Sequence, residues 1–288
     1  MILSVSRRTD IPNYYSEWFY NRIKEGYVYV RNPMNIHQIS KIALSPEVVD
    51  CIVFWTKNPE PMLHRLDELS AYKYYFQFTL TGYGRDMECG VPHKKEIMIP
   101  IFQSLSHKIG SKRVIWRYDP IIFTKAYTPE YHLRAFEQIA AALTGYTNKC
   151  VISFVDFYAK NKRNMKAMGA YELEEAALED FARSISKIAG VHGMMVSSCA
   201  ESMDLAQCGI EHNCCIDKAL IEDIIGCKIN AGKDRNQRLE CGCMDSVMKN
   251  CSEYDAKSPL LCGNITKEDT ICERRVKALR QEQLSFFI

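Results

Sequence analysis

Six short apolar runs punctuate the first two-thirds of the chain: 2–6 (ILSVS), 51–56 (CIVFWT), 74–80 (YYFQFTL), 113–118 (RVIWRY), 150–157 (CVISFVDF) and 193–198 (GMMVSS). They are rich in β-branched and aromatic residues. Most are continuous rather than alternating, the pattern of parallel strands covered on both faces. Between them the period changes to that of amphipathic helices. The stretch 128–145 (TPEYHLRAFEQIAAALTG) carries the clearest punctuation, with Thr128 as N-cap, Pro129 in the first turn and Gly145 as the stop. Residues 94–110 read as a helix with a kink or local break at Pro100 and an end at Gly110. Further helices are predicted at 14–26, 59–69, 170–190 and 215–226. One segment breaks the alternation: 27–44 (YVYVRNPMNIHQISKIAL) predicts two strands with a turn between them. The stretch 266–288 predicts a last helix followed by an apolar tail.

Strand–helix units repeated in this way predict an α/β fold: a parallel, partial six-strand TIM-like barrel with an inserted β-hairpin near 27–44. The barrel is expected over 1–198, with a cysteine-rich C-terminal extension, 199–288, packed on it. An open doubly wound sheet is the alternative that periodicity does not separate from it. Neither G-x-G-x-x-G nor G-x-x-x-x-G-K-[ST] occurs, so the usual nucleotide-binding loops are missing from the sequence.

Composition changes the picture at one point only. With 47% hydrophobic and 25% charged residues the chain reads as an ordinary globular protein, and a formal net charge of +2 gives no argument for nucleic acid or a membrane surface. The opening MILSVSRRTD resembles neither a signal peptide nor a membrane span, so a cytoplasmic location is expected, with no membrane partner. The thirteen cysteines are the exception. An odd number in a reducing compartment favours free thiols and metal ligands over a disulfide framework. Cys51 and Cys150 open strand-like runs and are expected in the core. The majority fall from Cys199 onward, a clustering that burial alone does not explain.

In a parallel barrel, chemistry sits at the carboxyl ends of the strands, and here each predicted strand runs into polar residues at that end. They are Arg7, Arg8 and Asp10; Thr56, Lys57 and Asn58; Thr79 and Thr81 with a flexible Gly82–Tyr83–Gly84 turn; Arg117 and Asp119; Asp156, Tyr158 and Lys160; and Ser197, Cys199 and Glu201. A face serving stability alone has no need of Arg7, Arg8, Lys57 and Arg117 beside Asp10, Asp119, Asp156 and Glu201. The mixture suits a small charged ligand, with guanidinium groups gripping carboxylate or phosphate. Arg7, Arg8, Asp10, Lys57, Asn58, Arg117, Asp119 and Asp156 are the candidate catalytic residues; Thr56, Thr79, Tyr158 and Glu201 are the candidate cofactor-binding residues. The histidines show no metal-ligand spacing, and only His212 sits among cysteines.

The motifs SVSRRTDIP, RNP, IVFWTKNPEPML, YYFQFTLTGYG, VIWRYDPII, ISFVDFY and SSCAE resemble, in this order, a prokaryotic family known as domain of unknown function 1848. More distantly, TKNP and RYDPII are similar to strand ends of spore photoproduct lyase and its relatives. Those are radical enzymes that use S-adenosylmethionine and a four-iron cluster on a partial six-strand barrel. In the family's pattern CGC precedes a C-x-x-x-C-x-Y-C-Y-A run with the cysteine spacing of such a cluster. Here CGCMDS (241–246) leads directly into VMKNCSEYDAKSPLLCGNI, and no C-x-x-x-C-x-x-C occurs, which reads as a deletion between about Ser246 and Lys249.

The resemblance also places family cysteines at Cys199, Cys215, Cys241 and Cys243. Four thiolates match the ligand count of a four-iron (4Fe-4S) cluster or a structural zinc. The resemblance therefore implies a radical-S-adenosylmethionine-like iron–sulfur protein, degenerate or truncated, with a small charged ligand or S-adenosylmethionine in the strand-end cavity. The alternatives are a non-enzymatic zinc- or metal-binding protein, or a nucleic-acid-acting relative of the lyases, which the near-neutral charge disfavours.

Overall fold

The structure is a computed structural model that describes residues 1–32, 35–155, 157, 161–238 and 241–249. Its elements in chain order are β1 (Ile2–Val5), α1 (Ile11–Tyr14), α2 (Ser16–Glu25), β2 (Tyr27–Asn32), β3 (Asn35–Ala43), β4 (Cys51–Thr56), α3 (Glu60–Leu63), β5 (Tyr74–Thr79), α4 (Ile99–Ile109), β6 (Val114–Ile121), α5 (Pro129–Ala142), β7 (Lys149–Phe154), α6 (Lys162–Ala167), α7 (Glu175–Val191), β8 (Met195–Ser198), β9 (Glu211–His212) and α8 (Lys218–Ile225). The predicted helix at 266–288 lies outside the described residues.

Seven strands form one sheet in the order β1-β4-β5-β6-β7-β8-β9, and β2 and β3 pair separately as an antiparallel hairpin. The six predicted strands are all present, and β1 with β4, β6 with β7, and β7 with β8 are parallel partners. The order runs along the sheet without reversing. A doubly wound sheet needs a reversal at its switch point, so that alternative does not describe this chain. The seventh strand, β9, was not expected: it is a two-residue piece that pairs parallel with Ser197 and Ser198 of β8.

Local chemistry sets the helix ends. Thr128 Oγ1 accepts from Tyr131 N at 3.2 Å, the predicted cap of α5. The break at Pro100 takes the form of a π-turn over Lys94–Met98 that gives way to α4, with Pro100 in the first α-helical turn. The helix predicted over 14–26 is α2, which begins at Ser16 and ends before Gly26; the short α1, capped by Asp10, precedes it, and Tyr15 leaves helical geometry between them. α7 runs past Gly190 to Val191, one residue beyond the expected stop.

The chain divides into two compact units. One comprises Met1–Gln77, Ile216–Arg235 and the described residues from Cys243; the other comprises Phe78–Cys215 and Asn236–Gly242. In the first, Leu3, Val53, Phe54 and Phe76 are fully buried, with Phe54 against Phe19 at 5.3 Å and stacked on Phe76 at 4.7 Å between ring centres. Its outer strand β1 is flanked by a short returning segment: Ser4 N donates to Val247 O at 2.9 Å and Val247 N to Ile2 O at 3.0 Å. In the second unit Trp116 stacks on Phe136 at 4.7 Å, and Phe78, Phe102, Val151 and Ile152 are fully buried as well. Cys51 and Cys150 are fully buried, as expected of core thiols.

Candidate functional site

In the first unit the ends of β1 and β4 are knotted together. Asp10 Oδ1 accepts from Asn13 N at 3.1 Å and Oδ2 from Lys57 N at 2.7 Å. Burial pushes its carboxyl up to about 6, against the pull of those hydrogen bonds and of the Lys57 charge. Thr56 Oγ1 accepts from Asn58 N at 2.9 Å, and Asn58 Oδ1 accepts from Glu60 N at 3.1 Å, which starts α3. Asp10, Thr56 and Asn58 therefore spend their polar atoms holding two loops in place. Arg8 is exposed, whereas Arg7 lies with its guanidinium carbon 5.3 Å from the centre of the Trp55 ring.

In the second unit the end of β5 is more rigid than its glycines suggest. Tyr131 OH donates to Gly82 O at 2.8 Å, and Tyr83 OH donates to Pro120 O at 2.8 Å while accepting from Ile122 N at 2.8 Å. A Cβ on Gly82 would sit 2.7 Å from Ala135 Cβ and 2.9 Å from Tyr118 OH. Close approach, not flexibility, is what this glycine supplies. Beside it Lys94 Nζ contacts Glu88 and Tyr83 O, and Thr81 Oγ1 donates to Glu88 Oε2 at 2.7 Å. Lys94 and Glu88 carry no sequence signal for this role, since only the fold of the loop brings them to Thr81. Thr79 is half-buried on β5 itself.

The β6 end carries Arg117 and Asp119 on one side of the strand, as residues two apart in extended chain must be. Arg117 Nε donates to Asp119 Oδ1 at 3.0 Å and Nη2 to Oδ2, a side-on bidentate pair. Asp119 and Pro120, joined by a cis peptide bond, fall where the β6–β7 register slips between Tyr118 and Ile121. The third nitrogen, Arg117 Nη1, donates to Cys215 Sγ at 2.9 Å. Burial works against this guanidinium, but Asp119, Cys215 and Cys199 outweigh it and hold it firmly charged.

Two of the four predicted ligands, Cys199 and Cys215, lie side by side. Cys215 Sγ lies 3.5 Å from Cys199 Sγ and accepts from Asn213 Nδ2 at 2.9 Å. The topology explains the meeting. β9 pairs with the last residues of β8, and Asn213 N donates to Ser198 O at 2.7 Å, so the chain returns beside Cys199 just before Cys215. Arg117 and Asn213 reach Cys215 through donors alone, so Cys215 is the acceptor of the group and Cys199 is left to donate into it. That hydrogen bond, reinforced by burial and opposed by Arg117, pushes the Cys199 thiol well above its ordinary range. Two buried polar atoms of neighbouring residues, Ser198 Oγ and Asn213 Oδ1, have no hydrogen-bond partner among the described residues.

The segment before the CGC turn is fastened to the same place. Arg238 Nη1 donates to Ala200 O at 3.1 Å, Cys241 N donates to Arg238 O at 3.1 Å, and any side chain at Gly242 would collide with Cys214 Sγ. Cys241 and Cys243 are both buried. Among the described residues, no three His, Cys, Asp or Glu side chains gather closely enough to hold a metal ion as they stand. The pair Cys199 and Cys215 does have donor chemistry and spacing for one. A zinc–sulfur bond of about 2.3 Å in a tetrahedral site puts two thiolates about 3.8 Å apart.

Of the other candidates, Glu201 Oε1 accepts from Phe154 N at 2.8 Å and so ties the β8 loop to the end of β7. Asp156, Tyr158 and Lys160 lie outside the described residues, as does Cys251. His212 is exposed on β9. His132 is fully buried between Tyr118 OH at 2.9 Å and Ile122 O at 3.1 Å, and burial pushes it down to about 4.

The family described as a domain of unknown function (DUF1848) matches residues 2–256, and the chain belongs to it. The match brings with it no relation to radical S-adenosylmethionine enzymes. No curated protein matches the chain.

Proposed function

We propose that this chain is a metal–thiolate protein whose centre is built on Cys199 and Cys215. The observation that carries the reading is the 3.5 Å approach of these two sulfurs in a pocket where Arg117 and Asn213 both donate to Cys215. Buried donors of that kind favour a thiolate, the form that binds metal. Cys241, in the same unit, is the next donor. Arg117, fixed by Asp119, supplies positive charge against the excess negative charge of a polythiolate site.

The sulfur spacing favours one shared ion, zinc, over a cluster, in which each thiolate sits on its own iron and the sulfurs stand further apart. Zinc so bound supplies a structural cross-link. A 4Fe-4S cluster is the second reading, resting on the family resemblance alone, and it would supply electron transfer. Anaerobic purification followed by iron, zinc and acid-labile sulfide analysis decides between them. The expected result is about one zinc per chain without sulfide, lost in Cys199→Ser and Cys215→Ser; sulfide in amounts equal to iron establishes the cluster instead. Folded protein that takes up neither metal after reconstitution overturns the proposal.

A further inference from the structure

Arg117 shows how this protein satisfies a buried arginine: its Nε and Nη2 edge is filled by the Asp119 carboxylate. Arg7, in the first unit, presents the same edge empty. Its Nε and Nη2 are both buried, and neither has a hydrogen-bond partner among the described residues. These two nitrogens direct their N–H bonds in parallel, the fork that takes two oxygens of a carboxylate or phosphate. An unpaired buried guanidinium donor is costly, and natural structures pair it.

Asp10, three residues on, is not the partner: no bond joins it to Arg7 Nε or Nη2, and its two oxygens accept from the backbone at Asn13 and Lys57. The arginine is nevertheless held in position. Arg7 N donates to Lys249 O at 3.1 Å, and the Trp55 ring lies under its guanidinium at 5.3 Å. That ring is itself held by the bond from Trp55 Nε1 to Ser4 Oγ at 2.9 Å. A charged fork that is fixed, buried and unfilled at the end of a parallel strand is a receptor for an anion.

We infer that Arg7 binds an oxyanion, the carboxylate or phosphate of a small ligand, side-on through Nε and Nη2 with Trp55 as the wall behind it. This reading uses no residue of the thiolate centre and stands or falls apart from it.

Titration of the whole protein with inorganic phosphate and, separately, with malonate tests it, followed by calorimetry and by tryptophan fluorescence. Saturable binding of at least one anion is expected, with preference for phosphate marking a phosphorylated ligand and preference for malonate a carboxylate ligand. Arg7→Lys keeps the charge and loses the fork, and weakens binding about tenfold or more, while the exposed Lys187→Gln leaves it unchanged. A fluorescence response to anion that disappears in Trp55→Phe locates the site without relying on the folding of the Arg7 variant. Absence of saturable binding by either anion, or equal affinity in Arg7→Lys, overturns the inference.

Discussion

At the scale of single residues, the candidate arginines separate into three fates that their sequence positions do not distinguish. Arg117 is consumed by Asp119 and Cys215, Arg8 faces solvent, and the half-buried Arg7 keeps Nε and Nη2 buried and, among the described residues, unfilled. The Arg117–Asp119 pair was legible, because residues two apart share a strand face. The state of Arg7 was not, since it depends on which way Asp10 turns. His132 gives the clearest residue-level prediction. Its ordinary value of 6.5 is pushed down to about 4 by burial, so between these values the unfolded chain binds the proton and the folded chain does not. Stability is then full above about 6.5 and falls as the pH drops towards 4, by about 3 kcal/mol in all. Urea denaturation at pH 7 and pH 5 should show wild type losing about 2 kcal/mol more than His132→Gln over that interval. A variant that loses as much as wild type excludes His132 as the source.

At the scale of elements, strands were legible because continuous apolar runs admit few other readings, and helix ends because Thr128 and Pro100 act locally. Two elements escaped. β9 is a polar pair whose strand character comes from the edge of β8, and the meeting of Cys199 with Cys215 follows from that pairing rather than from cysteine spacing. The contact between β5 and α5 escaped for a related reason: Gly82 reads as a hinge in sequence and serves as a contact point in the fold. Gly82→Ala should destabilise by about 1–3 kcal/mol through its clash with Ala135 and Tyr118. Gly190→Ala, inside α7 with open space around it, should stabilise by about 0.5–1 kcal/mol. Chemical denaturation of the two variants checks both signs, and a neutral Gly82→Ala would show that α5 yields.

At the scale of the whole molecule, the family assignment rests on a match over nearly all of the described chain, and the parallel sheet agrees with the fold class that periodicity predicts. No helix among the described residues is long and apolar enough to cross a membrane. The sequence contains no C-x-x-x-C-x-x-C, the spacing at which three thiolates leave one iron of a cluster open. Protein reconstituted anaerobically and reduced in the presence of S-adenosylmethionine should release no 5′-deoxyadenosine above a protein-free control. Release by wild type that is lost in Cys199→Ser would assign radical chemistry to the Cys199 site.

The pairing of Leu3 with Val247 has a consequence for how the protein is made. A ribosome delivers the first strand early and the segment that flanks it only after nearly all of the described chain has emerged. Through that interval the rim of β1 presents open amide and carbonyl groups to whatever lies nearby, a template for pairing with other nascent chains. The newborn chain thus has a window of exposure that opens when β1 emerges and closes only when Val247 arrives.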